Sequence, residues 1–376
     1  MKVSVLTPDL SHNCLGRAVL LAQLIERNYE VEVIGPKQLD AIWAPMRNEY
    51  NYKTVESGSR IYEFAPSVPA LVDKIDGDVV LASKPRLQSY GVGLLAKLQD
   101  DLPVVLDIDD WETGFKLGRG RLIAYAWGIP TLLATDSFFY HRVMEALSGV
   151  ADARTVSNRF LQEQFGGELI RHVRDTDVFD PDRYSKEDAR KALELPQDAN
   201  LIMFSGTPRP HKGVAELVRA VAAIGRDDVQ IVVVGENDSN YVDELRQAGG
   251  EALILRGHQP FEEIPRWLAA ADIVAIPQRD SPKTRGQLPA KVFDAMAMAK
   301  PIIATRVGDL PEVLEGCGYL IESASVSMLE VAIRELLLSK DQRDYLGDAA
   351  RKKCVSEYSY RAAAPRISQI IENASK

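Results

Sequence analysis

Short, β-rich apolar runs alternate with longer helix-periodic segments along almost the whole chain, and this alternation decides what the chain can fold into. Val3–Leu6, Tyr29–Ile34, Val79–Ala82, Val104–Ile108 and Arg154–Val156 read as strands, with Arg17–Arg27 helical between the first two. Leu201–Ser205, Gln230–Gly235, Ala252–Leu255, Ile273–Ile276 and Pro301–Ala304 read as strands in the second half. Helices are expected from Val214, Asn240, Phe261 and Ala290, over roughly 325–355, and over Arg361–Ala374. This pattern implies parallel sheets covered by helices. At 376 residues the chain exceeds what one hydrophobic core usually spans, so two such domains are expected. The turn-rich Phe179–Ser185, ahead of the charged Lys186–Glu194, is the best break. It separates a domain over 1–180 from one over 181–360.

Composition excludes several classes. A net charge of −9 argues against generic nucleic-acid binding, which depends on neutralising phosphates. No apolar run approaches the roughly 20 residues of a membrane-spanning helix. Met1–Thr7 reads as a first buried strand and not as a leader, which points to the cytosol. Cys14, Cys317 and Cys354 are odd in number and scattered, with no metal spacing and no disulfide framework.

Two segments carry chemistry: Gly206-Thr-Pro-Arg-Pro-His-Lys-Gly213 and Gly286-Gln-Leu-Pro-Ala-Lys-Val-Phe-Asp294-Ala-Met-Ala-Met-Ala-Lys-Pro301. Each leads from a β-like run, through a loop with a positive charge, into a helix. A nucleoside diphosphate needs such parts: helix N-termini and Lys or Arg for the phosphates, and a carboxylate for the ribose. Together the segments resemble the donor half of family 4 glycosyltransferases, the group 1 enzymes, which retain anomeric configuration. The resemblance is specific over residues 200–320 and looser before 180. It implies an α/β GT-B fold, two doubly wound Rossmann-like domains facing a central cleft. The C-terminal helix would cross back, so that 361–376 completes the first domain.

The resemblance also implies roles. Lys212 matches the family's phosphate-binding Lys, Thr207 stands where an Arg is usual, and Arg209 is positioned to supply that charge. Gly206 permits close backbone approach there. Asp294 matches the second of two family Glu residues, the one that holds the ribose, while Gly286 replaces the first. The amides of Gln287 and Leu288 are candidates for the β-phosphate, and Lys291 for the donor or for pairing with Asp294. Arg279, Lys283 and Arg285 form either an electropositive lid or a solvated loop. Gly235 ends one strand and Arg256-Gly257-His258 follows another, on the edge where the base should lie. Gly16 follows the first strand, where the family has a glycine-rich loop.

On the acceptor side, four carboxylates crowd Asp107-Ile-Asp109-Asp110-Trp111-Glu112. They should repel one another, which stability alone does not explain. Asp109 and Asp110 occupy a place where the family often has His, and Asp109 is a catalytic candidate with Lys212 and Arg209. Arg174 is a candidate acceptor contact. Basic Lys116–Arg121 and aromatic-aliphatic Leu122–Tyr140 suit either a buried helix pair or a lipid-linked acceptor at a membrane surface. The reaction implied is sugar transfer from a UDP- or GDP-sugar to a glycan, lipid-linked or small-molecule hydroxyl. It would take place in the cytoplasm or at the inner membrane face, with no metal or other cofactor. A nucleotide-sugar epimerase and a catalytically silent nucleotide-sugar-binding scaffold remain alternatives. A dinucleotide dehydrogenase does not fit, because no G-x-G-x-x-G follows the first strand.

Overall fold

The first seven strands are β1 Lys2–Leu6, β2 Glu30–Lys37, β3 Lys53–Glu56, β4 Val79–Ser83, β5 Val104–Ile108, β6 Ala153–Val156 and β7 Glu168–Leu169. The other six are β8 Asn200–Ser205, β9 Val229–Glu236, β10 Leu253–Gly257, β11 Ile273–Ile276, β12 Ile302–Thr305 and β13 Tyr319–Ile321. The computed structural model describes residues 1–117, 128–236, 239–322 and 324–376, so the candidate membrane-facing residues over 118–127 lie outside it. Among the described residues, the strands form a seven-stranded sheet ordered β3-β2-β1-β4-β5-β6-β7 and a six-stranded sheet ordered β10-β9-β8-β11-β12-β13. Every pairing in both is parallel. The order reverses between β1 and β4 in one sheet and between β8 and β11 in the other. In open parallel sheets the carboxyl ends of strands at such reversals are where ligands bind.

Each sheet organises one compact unit. The first comprises Met1–His172, Gly286–Leu288 and Ala363–Lys376; the second comprises Val173–Arg285 and Pro289–Ala362. The chain therefore passes from one to the other at His172/Val173, ahead of the turn-rich stretch read as the break. The reason is local. Arg174 donates its amide to Tyr358 O at 2.9 Å, and Tyr360 donates to Arg174 O at 3.0 Å. Phe179 is fully buried against Phe261, their ring centroids 5.4 Å apart. The last helix, Tyr360–Ala374, delivers its residues from Ala363 onward to the first unit. There Asn28 Nδ2 donates to Ser368 Oγ at 2.9 Å and Tyr29 Oη to Glu372 at 2.7 Å.

The sequence periodicities account for the central strands. All residues of β4 and β5 are buried, as expected where helices cover both sheet faces. In the second unit, Ile202 and Phe204 of β8 pack with Val218 and Val221 of helix Val214–Ile224, and with Leu329 and Ile333 of helix Val326–Leu338. Burial of one such aliphatic side chain contributes about 1.5–3 kcal/mol. Three strands lie outside the sequence reading: β3, β7 and β13, all toward the sheet edges. β3 is Lys-Thr-Val-Glu and β7 only Glu-Leu, too polar or too short to show a strand period. Among the described residues, no helix is long and apolar enough to cross a membrane.

Asp107 lies in the middle sheet layer, fully buried, and must be paired there. Arg17 of helix Leu15–Ile25 supplies two bonds, Nε to Oδ2 at 2.9 Å and Nη2 to Oδ1 at 2.8 Å. Thr155 of β6 donates a third at 2.7 Å. The guanidinium also reaches Ile170 O at 2.7 Å, and so joins the first helix, β5, β6 and the chain after β7. Arg17→Met leaves the Asp107 carboxylate buried without its cation. The expected loss is about 3–5 kcal/mol of stability, read as a lower urea midpoint.

Candidate functional site

In the second unit, β8 ends at Ser205, and Gly206 turns the chain with φ +102°. Gly235, near the end of the neighbouring β9, also has φ +102° and is skipped in the register between Arg256 and Gly257 of β10. A Cβ on Gly235 would stand 3.0 Å from the Gly206 carbonyl carbon and 3.3 Å from the Thr207 nitrogen. The two glycines thus let two backbones meet where a side chain would separate them. Gly213 closes the loop with φ +70°, and a Cβ there would lie 1.8 Å from Pro277 O. The loop Gly206–Gly213 is therefore clamped between the ends of β8, β9 and β11, at the reversal of strand order.

Cations gather at this loop. Lys212 Nζ donates to Thr207 O at 2.8 Å across it. Arg209 is exposed at the start of the turn Pro210–Lys212. Lys291, the first residue of helix Lys291–Ala297, directs its Nζ to the same place, 3.0 Å from where a Gly206 Cβ would be. That Nζ is buried, sits 3.6 Å from the Phe204 ring centroid, and has no hydrogen-bond partner among the described residues. Burial first and Lys212 second hold its ammonium well below the ordinary lysine value, with Asp294 pulling the other way. A ring face offers an ammonium about 2 kcal/mol, against several kcal/mol for desolvating it, so desolvation wins. Burial, and then Lys212, Lys283, Arg209 and Lys291, push His211 down to about 4. The Ser205 hydroxyl, also buried here, lacks a partner among the described residues.

The expected pairing of Lys291 with Asp294 does not form, because Asp294 is bound to Arg174. The Arg174 Nε donates to Asp294 Oδ1, and its Nη1 to Val173 O at 2.7 Å. Its guanidinium carbon also lies 5.4 Å from the Phe261 ring centroid. Arg174, expected on the acceptor side, thus belongs to the second unit, with its guanidinium 6% exposed. In the later loop, Arg279 is paired with Glu216, and Arg285 with Asp280 at 2.7 Å. Gly257, the last residue of β10, and His258 after it are exposed, and the Arg256 guanidinium donates to Leu255 O at 3.1 Å.

In the first unit, the crowded carboxylates have partners that lie outside the sequence reading. β4 and β5 are adjacent and parallel, so Lys84-Pro85-Arg86 leaves the sheet beside Asp109–Glu112. Lys84 Nζ is 2.6 Å from Asp109, 2.6 Å from Asp110 and 3.4 Å from Glu112. Arg86 takes the other Glu112 oxygen at 2.6 Å. Lys84 has φ +70°, an unfavourable region for a residue with a Cβ, at a cost of roughly 1–2 kcal/mol. Burial raises Asp109 to about 6 against the pull of Lys84, with Asp110 and Asp107 adding to the rise. Burial also pushes Glu112 up, but Arg86 and then Lys84 outweigh it and hold it at about 2. Glu112, Asp136 and His141 bring ligand atoms within 4.8 Å of one another, yet Arg86 and Lys116 already engage the two carboxylates at 2.6 Å.

Gly286–Leu288 also belongs to this unit. Gln287 bridges Asp110 as an isolated antiparallel pair, and its Nε2 donates to Asp110 Oδ1 at 3.0 Å. Leu288 is 2% exposed. A Cβ on Gly286 would lie 2.6 Å from Trp111 Cβ, so no acidic side chain fits there without displacing Trp111. Gly16 packs under the Trp43 ring and donates its amide to Asn13 O at 3.2 Å, so that amide is engaged within its own turn. Absent from the sequence reading is a pair beside it, His12 Nδ1 with the buried Asp9 carboxylate. Its spacing after the first strand was the available signal.

Two outcomes follow from these pairings. Asp294→Ala leaves Arg174 buried without its carboxylate and should cost about 3–5 kcal/mol in urea unfolding. Asp109 has a folded-state pKa of about 6 against 3.8 for a free carboxyl, so the stability it contributes is present at low pH and is lost as pH rises through about 6. The stability difference between wild type and Asp109→Asn should therefore shift against wild type between roughly pH 4 and 6, when unfolding is followed across pH.

Residues 199–339 match the family model for glycosyl transferases group 1. The chain is 27% identical over 212 residues to the GDP-mannose-dependent alpha-(1-6)-phosphatidylinositol monomannoside mannosyltransferase of Mycobacterium tuberculosis (strain H37Rv), covering 52% of this chain and 53% of the relative. It is 29% identical over 215 residues to the D-inositol 3-phosphate glycosyltransferase of Corynebacterium aurimucosum, covering 53% and 49%. The chain thus spans about half the length of the curated relatives it matches. Among solved structures, Anabaena Alr3699/HepE in complex with UDP and glucose superposes with a TM-score of 0.77 at 17% identity, covering 99% of each chain. Sucrose-phosphate synthase from Thermosynechococcus elongatus gives 0.75 at 17% identity, covering 99% of this chain and 98% of that one. Residues 199–339 thus belong to the group 1 glycosyltransferases, and the chain as a whole has the GT-B fold.

Proposed function

We propose that this chain is a retaining glycosyltransferase that moves a sugar from a UDP- or GDP-sugar to a hydroxyl of a glycan, lipid-linked or small-molecule acceptor. The observation that carries this reading is the positive charge around Gly206, where Lys291 Nζ is buried without a hydrogen-bond partner among the described residues and Lys212 crosses the loop. A buried amine with no acceptor among the described residues calls for an anion from outside. A diphosphate supplies it at the strand-order reversal. As the anomeric C–O bond breaks, its electron pair goes to the departing phosphate. Lys212, Arg209 and Lys291 stabilise that charge, and the acceptor oxygen attacks from the same face. Asp294 keeps Oδ2 for a ribose hydroxyl while Oδ1 holds Arg174.

Donor bases of both kinds have support. The matched Mycobacterium tuberculosis enzyme is named for GDP-mannose, and the Anabaena structure holds UDP. In this reading cations replace a divalent metal, so a chelator should leave the rate unchanged. Asp109 and Asp110 would face the acceptor. Exposed Ile129 and Leu133 support peripheral contact with a lipid-linked acceptor at the inner membrane face. One observation favours a second reading, a catalytically silent nucleotide-sugar-binding protein: Gly286 is held against Trp111 where a carboxylate would otherwise stand.

Lys212→Ala should lower transfer by at least about tenfold, the loss of one phosphate contact worth more than about 1.4 kcal/mol in a dry site. Sugar-nucleotide turnover with a panel of acceptors measures it. Unchanged turnover by the folded variant removes Lys212 from the reaction. Selective nucleotide binding without turnover on any acceptor moves the assignment to the silent reading.

A further inference from the structure

We propose that donor binding is coupled to protonation of Lys291: its Nζ is a neutral amine in the empty protein and becomes an ammonium, with a proton taken from solvent, when a nucleoside diphosphate lies against Gly206. The proposal rests on the donor-site reading above. Its basis is the surroundings of the Nζ. From β8, Phe204 presents only its ring face, at 3.6 Å to the centroid. From the Gly206–Gly213 loop come Lys212, whose charge acts directly on the amine, and His211, whose imidazole feels the Lys291 charge in turn. On its own helix, Asp294 is the nearest carboxylate, and its Oδ1 is committed to Arg174. The amine thus has no hydrogen-bond acceptor among the described residues, and a like charge stands beside it while its nearest carboxylate is held by Arg174. Burial and Lys212 hold the ammonium well below the ordinary lysine value, in keeping with that geometry.

An incoming diphosphate reverses each of these conditions. Its oxygens accept hydrogen bonds from the ammonium, and its negative charges outweigh Lys212. The bound state therefore holds one more proton than the free state over the pH range between the two values. By linkage, nucleotide affinity falls as pH rises through that range. The site then takes on its full positive charge only when a phosphate is present, and the empty protein avoids a buried ammonium beside the Lys212 cation.

The test is calorimetry of UDP and GDP on the full chain at about pH 8, in Tris and in HEPES, whose ionisation heats differ. Wild type should take up close to one proton per nucleotide, and its affinity should weaken by up to about tenfold per pH unit. His211→Gln should behave the same, because the imidazole is not the group that titrates. Lys291→Met, which replaces the amine with an apolar chain over the same ring, should bind more weakly with no proton uptake. It should also melt no lower than wild type when empty. Nucleotide binding by wild type without proton uptake overturns the proposal and leaves the donor reading standing. So does equal uptake by wild type and Lys291→Met. No binding of either nucleotide by wild type overturns the donor reading itself, and this proposal with it.

Discussion

A charge removed from water must find a partner, and in both sheets this requirement falls on the same place. Parallel strands all end at one edge, so the loops leaving them bring polar residues together there. In the first unit the requirement is met from within. Arg17 pairs with Asp107 beneath the sheet edge, and Lys84 with Arg86 engages Asp109, Asp110 and Glu112 above it. In the second unit it is met only in part. Arg174 holds Asp294, and the buried Lys291 Nζ has no hydrogen-bond partner among the described residues. That unmet requirement is the physical basis for proposing an anionic donor at this edge of the second unit.

Backbone geometry makes this edge possible. Gly206 and Gly235 bring two chains into direct contact, and Gly213 packs on Pro277 O where no Cβ fits. The loop is therefore held by backbone on three sides, and its side chains are free to serve charge instead of packing. Lys291 enters from the following part of the chain over the ring of Phe204, which fills the space a carboxylate would otherwise need. The same logic operates at Gly286, with the opposite consequence. Trp111 stands against it, and a side chain at this position is sterically barred.

Strong local signals carried much of this in the sequence. The central strands, the helix after each, and the loops at Gly206 and Gly286 were legible because burial on both faces imposes continuous apolar runs, and turns impose glycine. The edge strands β3, β7 and β13 were not, since edge positions face solvent and carry no such pattern. The partners of the crowded carboxylates were also hidden. Lys84 and Arg86 stand more than a strand and a helix away in sequence, and only the β4–β5 pairing brings them beside Asp109 and Glu112. Arg174 illustrates the same limit: its place before the crossing suggested the acceptor side, and the hydrogen bonds to Tyr358 and Tyr360 put it in the other unit.

The sequence by itself determined the fold class and the family resemblance of the second unit, because periodicity, glycine placement and the order of loop motifs are local properties of a chain. Tertiary structure alone decided which charges are paired. Whether Asp294 faces Lys291 or Arg174, and whether four carboxylates repel or are paired, depends on residues far apart in sequence that meet across neighbouring strands. Burial then makes those meetings matter, since an ion pair of little consequence in water becomes decisive in a medium that cannot solvate either partner.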